Sequence, residues 1–129
     1  MVRRCADGAG DLVKKQIASR GDVYHLNFTP SAGREQRGPH YGVIISPRGY
    51  NGVSAMPFVA PITTVGNASR MGGFAVSLTG TGLRVTGVVQ VDQVKPLDLA
   101  ARGATPTGEQ VPDYIMDEIL ARLEAVFGF

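Results

Sequence analysis

The sequence predicts a mainly β protein with some α-structure: a small, strongly curved antiparallel sheet or partly open barrel, with a helix at its C-terminal end. Three observations predict it. Short β-branched and aromatic runs punctuated by Gly, Pro and Asn begin at Gly21 and recur along the chain. No βαβ rhythm, GxGxxG or P-loop lysine motif interrupts them, which argues against a nucleotide-cofactor fold. The last segment alone carries a sustained helical repeat.

Residues 1–20 read as an extension of different character. Arg3-Arg4 and Gly8-Ala9-Gly10 precede Asp11-Leu12-Val13-Lys14-Lys15-Gln16-Ile17, where Asp11 suits the cap of a two-turn helix or the segment frays. Strands are expected near 22–28, 41–47, 56–63, 73–78 and 86–93. In the last, two-residue periodicity sets Thr86, Val88, Gln90 and Asp92 on one face and Val89 and Val91 on the other, so one face is expected in the core and the other polar. Leu97-Asp98-Leu99-Ala100-Ala101-Arg102 suggests a short helix ended by Gly103. The strong helix starts with Pro112 at its first position, with Asp113, Asp117 and Glu118 in its N-terminal half and Gly128 beyond its end. Ile115, Met116, Ile119, Leu120, Leu123, Val126 and Phe127 recur at helical spacing, the pattern of a helix packed on a sheet.

The 129 residues suit one domain, placed at 21–129, and the 43% apolar content excludes disorder and fibrous classes. A net charge of +2 permits an anionic partner without demanding one. One cysteine, Cys5, and two histidines leave no disulfide framework and no zinc-site spacing, so no metal or other cofactor is expected. No membrane-length apolar run and no secretory h-region is present, which points to a cytoplasmic protein.

The chemistry concentrates between the first two strands, in Gly33-Arg34-Glu35-Gln36-Arg37-Gly38-Pro39-His40-Tyr41. Charge, amide and imidazole on a long connection held by a sheet mark a binding or catalytic loop, although a loop kept soluble by its charges fits as well. Thr63 and Thr64 at a strand end offer hydroxyls to a phosphate oxygen, or simply form a turn. Gln90 and Asp92 supply polar groups on the 86–93 strand, or form an exposed polar face. Together these types match metal-free RNA cleavage, which needs a base for the 2′-OH, support for a crowded phosphate and an acid for the 5′-oxygen.

The residues then resemble a known family. Gly21-Asp22-Val23-Tyr24, Phe28-Thr29-Pro30, Gly33-Arg34-Glu35-Gln36, Val43-Ile44-Ile45-Ser46-Pro47, Val59-Ala60-Pro61-Ile62-Thr63, Gly66-Asn67, Gly73-Phe74-Ala75-Val76-Ser77-Leu78, Thr86-Gly87-Val88-Val89, Asp92-Gln93 and Ala101-Arg102-Gly103 look like the MazF/PemK (Kid) toxins of bacterial toxin–antitoxin modules, in order from about Arg20 to the end. The resemblance implies an SH3-like barrel, shared with the CcdB toxins, a homodimer, and a metal-independent, sequence-specific endoribonuclease. Its substrate would be single-stranded RNA, cut to 2′,3′-cyclic phosphate and 5′-OH ends. It also implies an antitoxin whose C-terminal segment fills the RNA groove, and a gating role for residues 29–41.

Residue by residue, the resemblance makes Asp92 the general base, Glu35 a loop glutamate of the site, and Thr63 and Thr64 phosphate contacts. Phe74, Thr86 and Val88 would line the RNA groove, with Gln36, Arg37, Asn67 and Gln90 also on the RNA side. Gln90 stands where the Kid branch has an arginine acting as acid, Arg34 where it has a histidine, and His40-Tyr41 where an Arg-Pro pair is usual. The assignment that follows gives proton abstraction to Asp92 or Glu35, phosphorane support to Arg34 or Arg37, and the acid role to His40. Two alternatives remain open: a gyrase-binding toxin like CcdB, suggested by the Val126-Phe127-Gly128-Phe129 terminus, and a catalytically weakened member that binds RNA or antitoxin.

Overall fold

The computed structural model describes residues 16–63 and 74–128. The helix expected at 11–17 falls almost wholly outside these residues. Among them, seven strands form one antiparallel sheet: β1 (Asp22–Asn27), β2 (Pro39–Ile44), β3 (Phe58–Thr63), β4 (Ala75–Ser77), β5 (Val88–Gln90), β6 (Lys95–Pro96) and β7 (Thr105–Gln110). The order is β4-β5-β3-β2-β1-β7, with β6 also on β3. Helix α1 (Arg48–Ser54) connects β2 to β3, and α2 (Asp113–Phe127) follows β7. The sheet curls without closing into a barrel.

Alternation along the central strands gives the sheet two apolar faces. Val23, Val43, Ala60, Val76 and Val89 turn to one side, where Ile115, Met116 and Ile119 of α2 cover them. Tyr24, Leu26, Phe28, Ile44, Val59 and Leu97 fill the other. Each fully buried large apolar side chain contributes about 1.5–3 kcal/mol, so both faces are needed to offset the chain entropy of a domain this small. Gly42 lies where these side chains crowd the backbone: a Cβ there would stand 2.7 Å from Val59 Cγ1.

Helix α2 matches the expected span, with Pro112 one position earlier than predicted, as its extended N-cap. Gly128 closes it in the left-handed conformation, its N–H donating to the Glu124 carbonyl at 2.9 Å. Helix α1 was not expected, because Arg-Gly-Tyr-Asn-Gly-Val-Ser is a poor helix former. Tertiary contacts override that propensity: buried Asn51 donates from Nδ2 to the Ala18 carbonyl at 2.8 Å and the Ser46 carbonyl at 2.9 Å. Strand β7 was also missed, since Thr105-Pro106-Thr107-Gly108-Glu109-Gln110 has no apolar alternation. It is an edge strand, pairing only with β1 among the described residues and shifting register between Asp22 and Tyr24, which tolerates Pro106.

Three expectations change. The 86–93 strand is short: β5 ends at Gln90 and Val91–Gln93 forms a 3₁₀ turn. The predicted polar face therefore does not exist, and Val88 and Gln90 are buried while Thr86 and Asp92 are exposed. Residues 97–102 make a turn rather than a helix, with Asp98 Oδ1 accepting from the Ala101 N–H at 3.1 Å and Gly103 at φ 61°. Finally, β2 begins at Pro39, so His40 and Tyr41 belong to a strand, opposite Leu26 and His25.

Two local constraints fix the approach to β5. Gly87 has φ 122°, and a Cβ there would lie 2.1 Å from the Thr63 carbonyl oxygen. Upstream, the Glu109 carboxylate accepts from the Arg84 N–H at 2.8 Å and the Val85 N–H at 3.3 Å. The Arg84 N–H bond is the largest influence on Glu109 and, with Val85 and the Arg84 side chain, holds its carboxyl below the usual range despite partial desolvation.

Gly87→Ala combines a forbidden φ with a backbone clash and is expected to lose roughly 2–3 kcal/mol, seen as a lower thermal midpoint. Because the folded pKa of Glu109 is depressed, its contribution is present above the ordinary value of 4.5 and fades as pH falls below it. In an NMR titration, the Arg84 and Val85 amide shifts should move with a midpoint below that value, and should not titrate there in Glu109→Gln.

Candidate functional site

The connection from β1 to β2 is built from local polar contacts. Phe28 N–H donates to the Gly38 carbonyl at 2.9 Å, and Thr29 Oγ1 accepts from the Gly38 N–H at 2.8 Å, closing the loop base. Within the loop, Glu35 Oε1 accepts from the Ala32 N–H at 3.1 Å, while Arg37 Nη2 donates to the Gly33 carbonyl at 2.8 Å. Such side-chain-to-backbone bonds replace the ladder that a tight hairpin would have supplied.

The loop then docks on the 3₁₀ turn. Gln36 N–H donates to Gln93 Oε1 at 3.2 Å, and Gln93 Nε2 reaches the Arg34 carbonyl at 3.5 Å. Lys95 Nζ lies 3.6 Å from Glu35 Oε1. That ion pair is partly exposed and contributes well under about 1 kcal/mol, so the amide contacts set the loop's position and the charges steer it. Beneath the loop, His40 Nε2 is 2.6 Å from Gln36 Nε2, and the His40 ring meets Phe28 edge-on at 6.4 Å. With Gln36 Nε2 donating, the imidazole proton sits on Nδ1; a half-turn of the amide presents Oε1, which accepts from a protonated Nε2. Gln36 can therefore support either protonation state of His40.

The sequence-predicted residues do not all come together. Arg34, Glu35, Gln36, Arg37 and His40 gather around the docked loop, and the turn that carries exposed Asp92 also carries its anchor, Gln93. Thr63, Val88 and Gln90 lie in the adjoining β3–β5 ladder and are buried, at 5%, 4% and 6% exposure. Phe74 is exposed at a groove it shares with Glu118 and Arg122 of α2, and Thr86 opens onto a separate cleft beside Tyr41. Thr64 and Asn67 are outside the described residues. Gln93 and Lys95 were missed as site residues. Their signal was present in Gln93-Val94-Lys95, where polar and apolar residues alternate, but one strand expected over 86–93 hid the change of direction that turns Gln93 toward the loop.

Among the described residues, no group of three or more His, Cys, Asp and Glu is placed to hold a metal ion. No helix among them is long and apolar enough to cross a membrane.

The profile of the family described as PemK-like, MazF-like toxin of type II toxin-antitoxin system matches residues 19–127, and the chain belongs to that family. It is 42% identical over 113 residues to the endoribonuclease PemK of Escherichia coli, covering 88% of this chain and 84% of that protein. In structure it is similar to MazF (form I) from Deinococcus radiodurans, with a TM-score of 0.79, 32% identity, and coverage of 88% of this chain and 99% of the other. A MazE–MazF crystal structure (form III) from the same organism matches with a TM-score of 0.73 and 30% identity, over 88% of this chain and 99% of the other. The gyrase-binding alternative is not favoured, since these relatives carry endoribonuclease and MazF names.

Gln93→Ala should free the loop without unfolding the sheet. Hydrogen exchange is expected to accelerate at the Gln36 amide, by about tenfold for a lost contact of about 1.4 kcal/mol, with β1 and β3 amides unchanged.

Proposed function

We propose that this protein is the toxin of a type II toxin–antitoxin system and acts as an endoribonuclease on single-stranded RNA, without metal or cofactor. The observation that carries the reading is the docking of Arg34, Glu35 and Gln36 on the turn beside Asp92, above His40, in a chain of the PemK/MazF family. Residues 21–129 serve as the toxin domain, with 1–20 as an extension.

Asp92 takes the proton of the 2′-OH. Its carboxylate is exposed, whereas that of Glu35 is occupied by Lys95 and the Ala32 N–H and serves to hold the loop. The 2′-oxygen attacks phosphorus as the bond to the 5′-oxygen breaks, and protonated His40 gives its proton to that leaving oxygen. The products are a 2′,3′-cyclic phosphate and a 5′-OH; water then returns the proton from Asp92 to His40. Arg34, exposed on the loop, supports the phosphorane charge, while Arg37 braces the loop through Gly33 and adds positive potential. Thr63 steadies the β3 end beside the phosphate site. Phe74, Thr86, Gln36 and Arg37 take RNA, with Thr64 and Asn67 as further RNA contacts; Val88 and Gln90, being buried, shape the groove from beneath.

A MazE-like antitoxin with an acidic segment is the natural inhibitor of such a cationic loop, and MazE–MazF assemblies among the structural neighbours support that partner. A homodimer is supported by an apolar groove of about 490 Å³ bordered by Tyr50, Phe58, Leu120, Leu123 and Phe127, which a second copy would cover. Activity on mRNA places the protein in the cytoplasm.

The test is incubation of mixed-sequence RNA with purified protein in excess chelator, with analysis of the new ends. Cleavage leaving 5′-OH ends is expected, reduced by roughly 10²-fold or more in Asp92→Asn and in His40→Gln. Arg34→Ala should lose a comparable factor. Unchanged cleavage by both His40→Gln and Arg34→Ala sinks the assignment.

A further inference from the structure

His40 and Tyr41 are consecutive on β2, so their side chains leave opposite faces of the sheet. His40 enters the site under the loop. Tyr41 instead borders a second cleft, of about 470 Å³, which it shares with Arg84, Thr86, Thr107 and Glu109. We propose that this cleft is a nucleotide subsite, in which a base of single-stranded RNA stacks on Tyr41 while Arg84 holds an adjoining phosphate. The proposal rests on the endoribonuclease reading and extends it to a nucleotide beside the one cleaved.

Each wall suits that ligand. Tyr41 is 40% exposed and its ring meets His25 edge-on, at 5.0 Å and 71°, so a flat apolar surface is presented to the cleft. Base stacking on such a ring tolerates any base, because every base has a π-face. The Arg84 side chain is 77% exposed, yet its guanidinium is aimed: Nε is 3.2 Å from Glu109 Oε2 and Nη2 donates to the Thr107 carbonyl at 3.1 Å. Two of its five N–H groups are used in this bracing, and the remaining ones are available to a phosphate. Glu109 is thereby a positioning residue, since the same carboxylate also holds the Arg84 and Val85 backbone.

The cleft also continues the site. Thr86 on its wall is followed by Gly87, packed against the Thr63 carbonyl, and by Val88, which pairs with Thr63. Because His40 and Tyr41 leave opposite faces, an RNA strand reaches both only by rounding the ends of β2 and β3. An acidic peptide would satisfy Arg84 but has no use for an exposed ring, and so accounts for only half of the cleft.

The test is fluorescence-anisotropy binding of a short, mixed-sequence, 2′-O-methyl RNA, which cannot be cleaved, across a series of salt concentrations. Tyr41→Leu should weaken binding about tenfold with an unchanged salt slope, and Tyr41→Phe should keep the wild-type Kd. Arg84→Gln should weaken binding and lower the slope of log K against log salt by about 0.7. Wild-type affinity and slope in both Tyr41→Leu and Arg84→Gln, in a protein that still cleaves RNA, overturns the subsite and leaves the ribonuclease reading intact. A wild-type protein that neither binds nor cuts RNA overturns both. Loss of oligo-glutamate binding in Arg84→Gln with RNA binding unaltered reassigns the cleft to a peptide and overturns the proposal.

Discussion

Strand β3 must pair with three others at once, and the rest of the molecule follows from how it does so. One edge is taken by β2 at Val59, Ala60 and Pro61. The other is shared, with β6 at Phe58 and Val59 and with β5 at Ile62 and Thr63. The gap between them falls at Ala60 and Pro61, and Pro61 has no N–H to offer a ladder. There the chain between β5 and β6 leaves the sheet as the Val91–Gln93 turn, exposing Asp92 and turning Gln93 outward. A continuous strand would have hidden this change of direction and left the β1–β2 loop without a landing place.

The loop and turn therefore depend on one another. Backbone and amide contacts of Gln36 with Gln93 hold the loop, and the Glu35–Lys95 pair adds a screened charge attraction. What is placed by weak bonds can also be moved by them. A few contacts of about 1 kcal/mol each hold the loop far less firmly than burial holds the double-faced core beneath it. Rigidity lies in β1, β2, β3 and α2; adaptability lies in the loop.

Much of this was legible in the residues. The β-branched and aromatic runs that hold Val23, Val43, Ile44, Val59 and Ile62, set off by Gly, Pro and Asn, announced the central strands, and the spacing of Ile115, Ile119 and Leu123 announced α2 and its buried face. The Gly33–Tyr41 segment stood out by its chemistry before any contact was known. What escaped is what local pattern does not encode. Helix α1 exists because Asn51 finds the Ala18 and Ser46 carbonyls, and β7 because β1 offers a free edge. The end of β5 escaped because Val91 is as good a strand residue as Val89, and only the demands on β3 decide between them. The docking partners of the loop, Gln93 and Lys95, were hidden by the same error.

The most direct measurement is an NMR titration of the protein with a 2′-O-methyl single-stranded RNA, following backbone amides. If loop and turn form one site, Gln36, His40, Asp92 and Gln93 shift together at the same RNA concentrations. Shifts confined to the exposed face of α2, with those four unmoved, would contradict a site assembled at the break in the β5 strand.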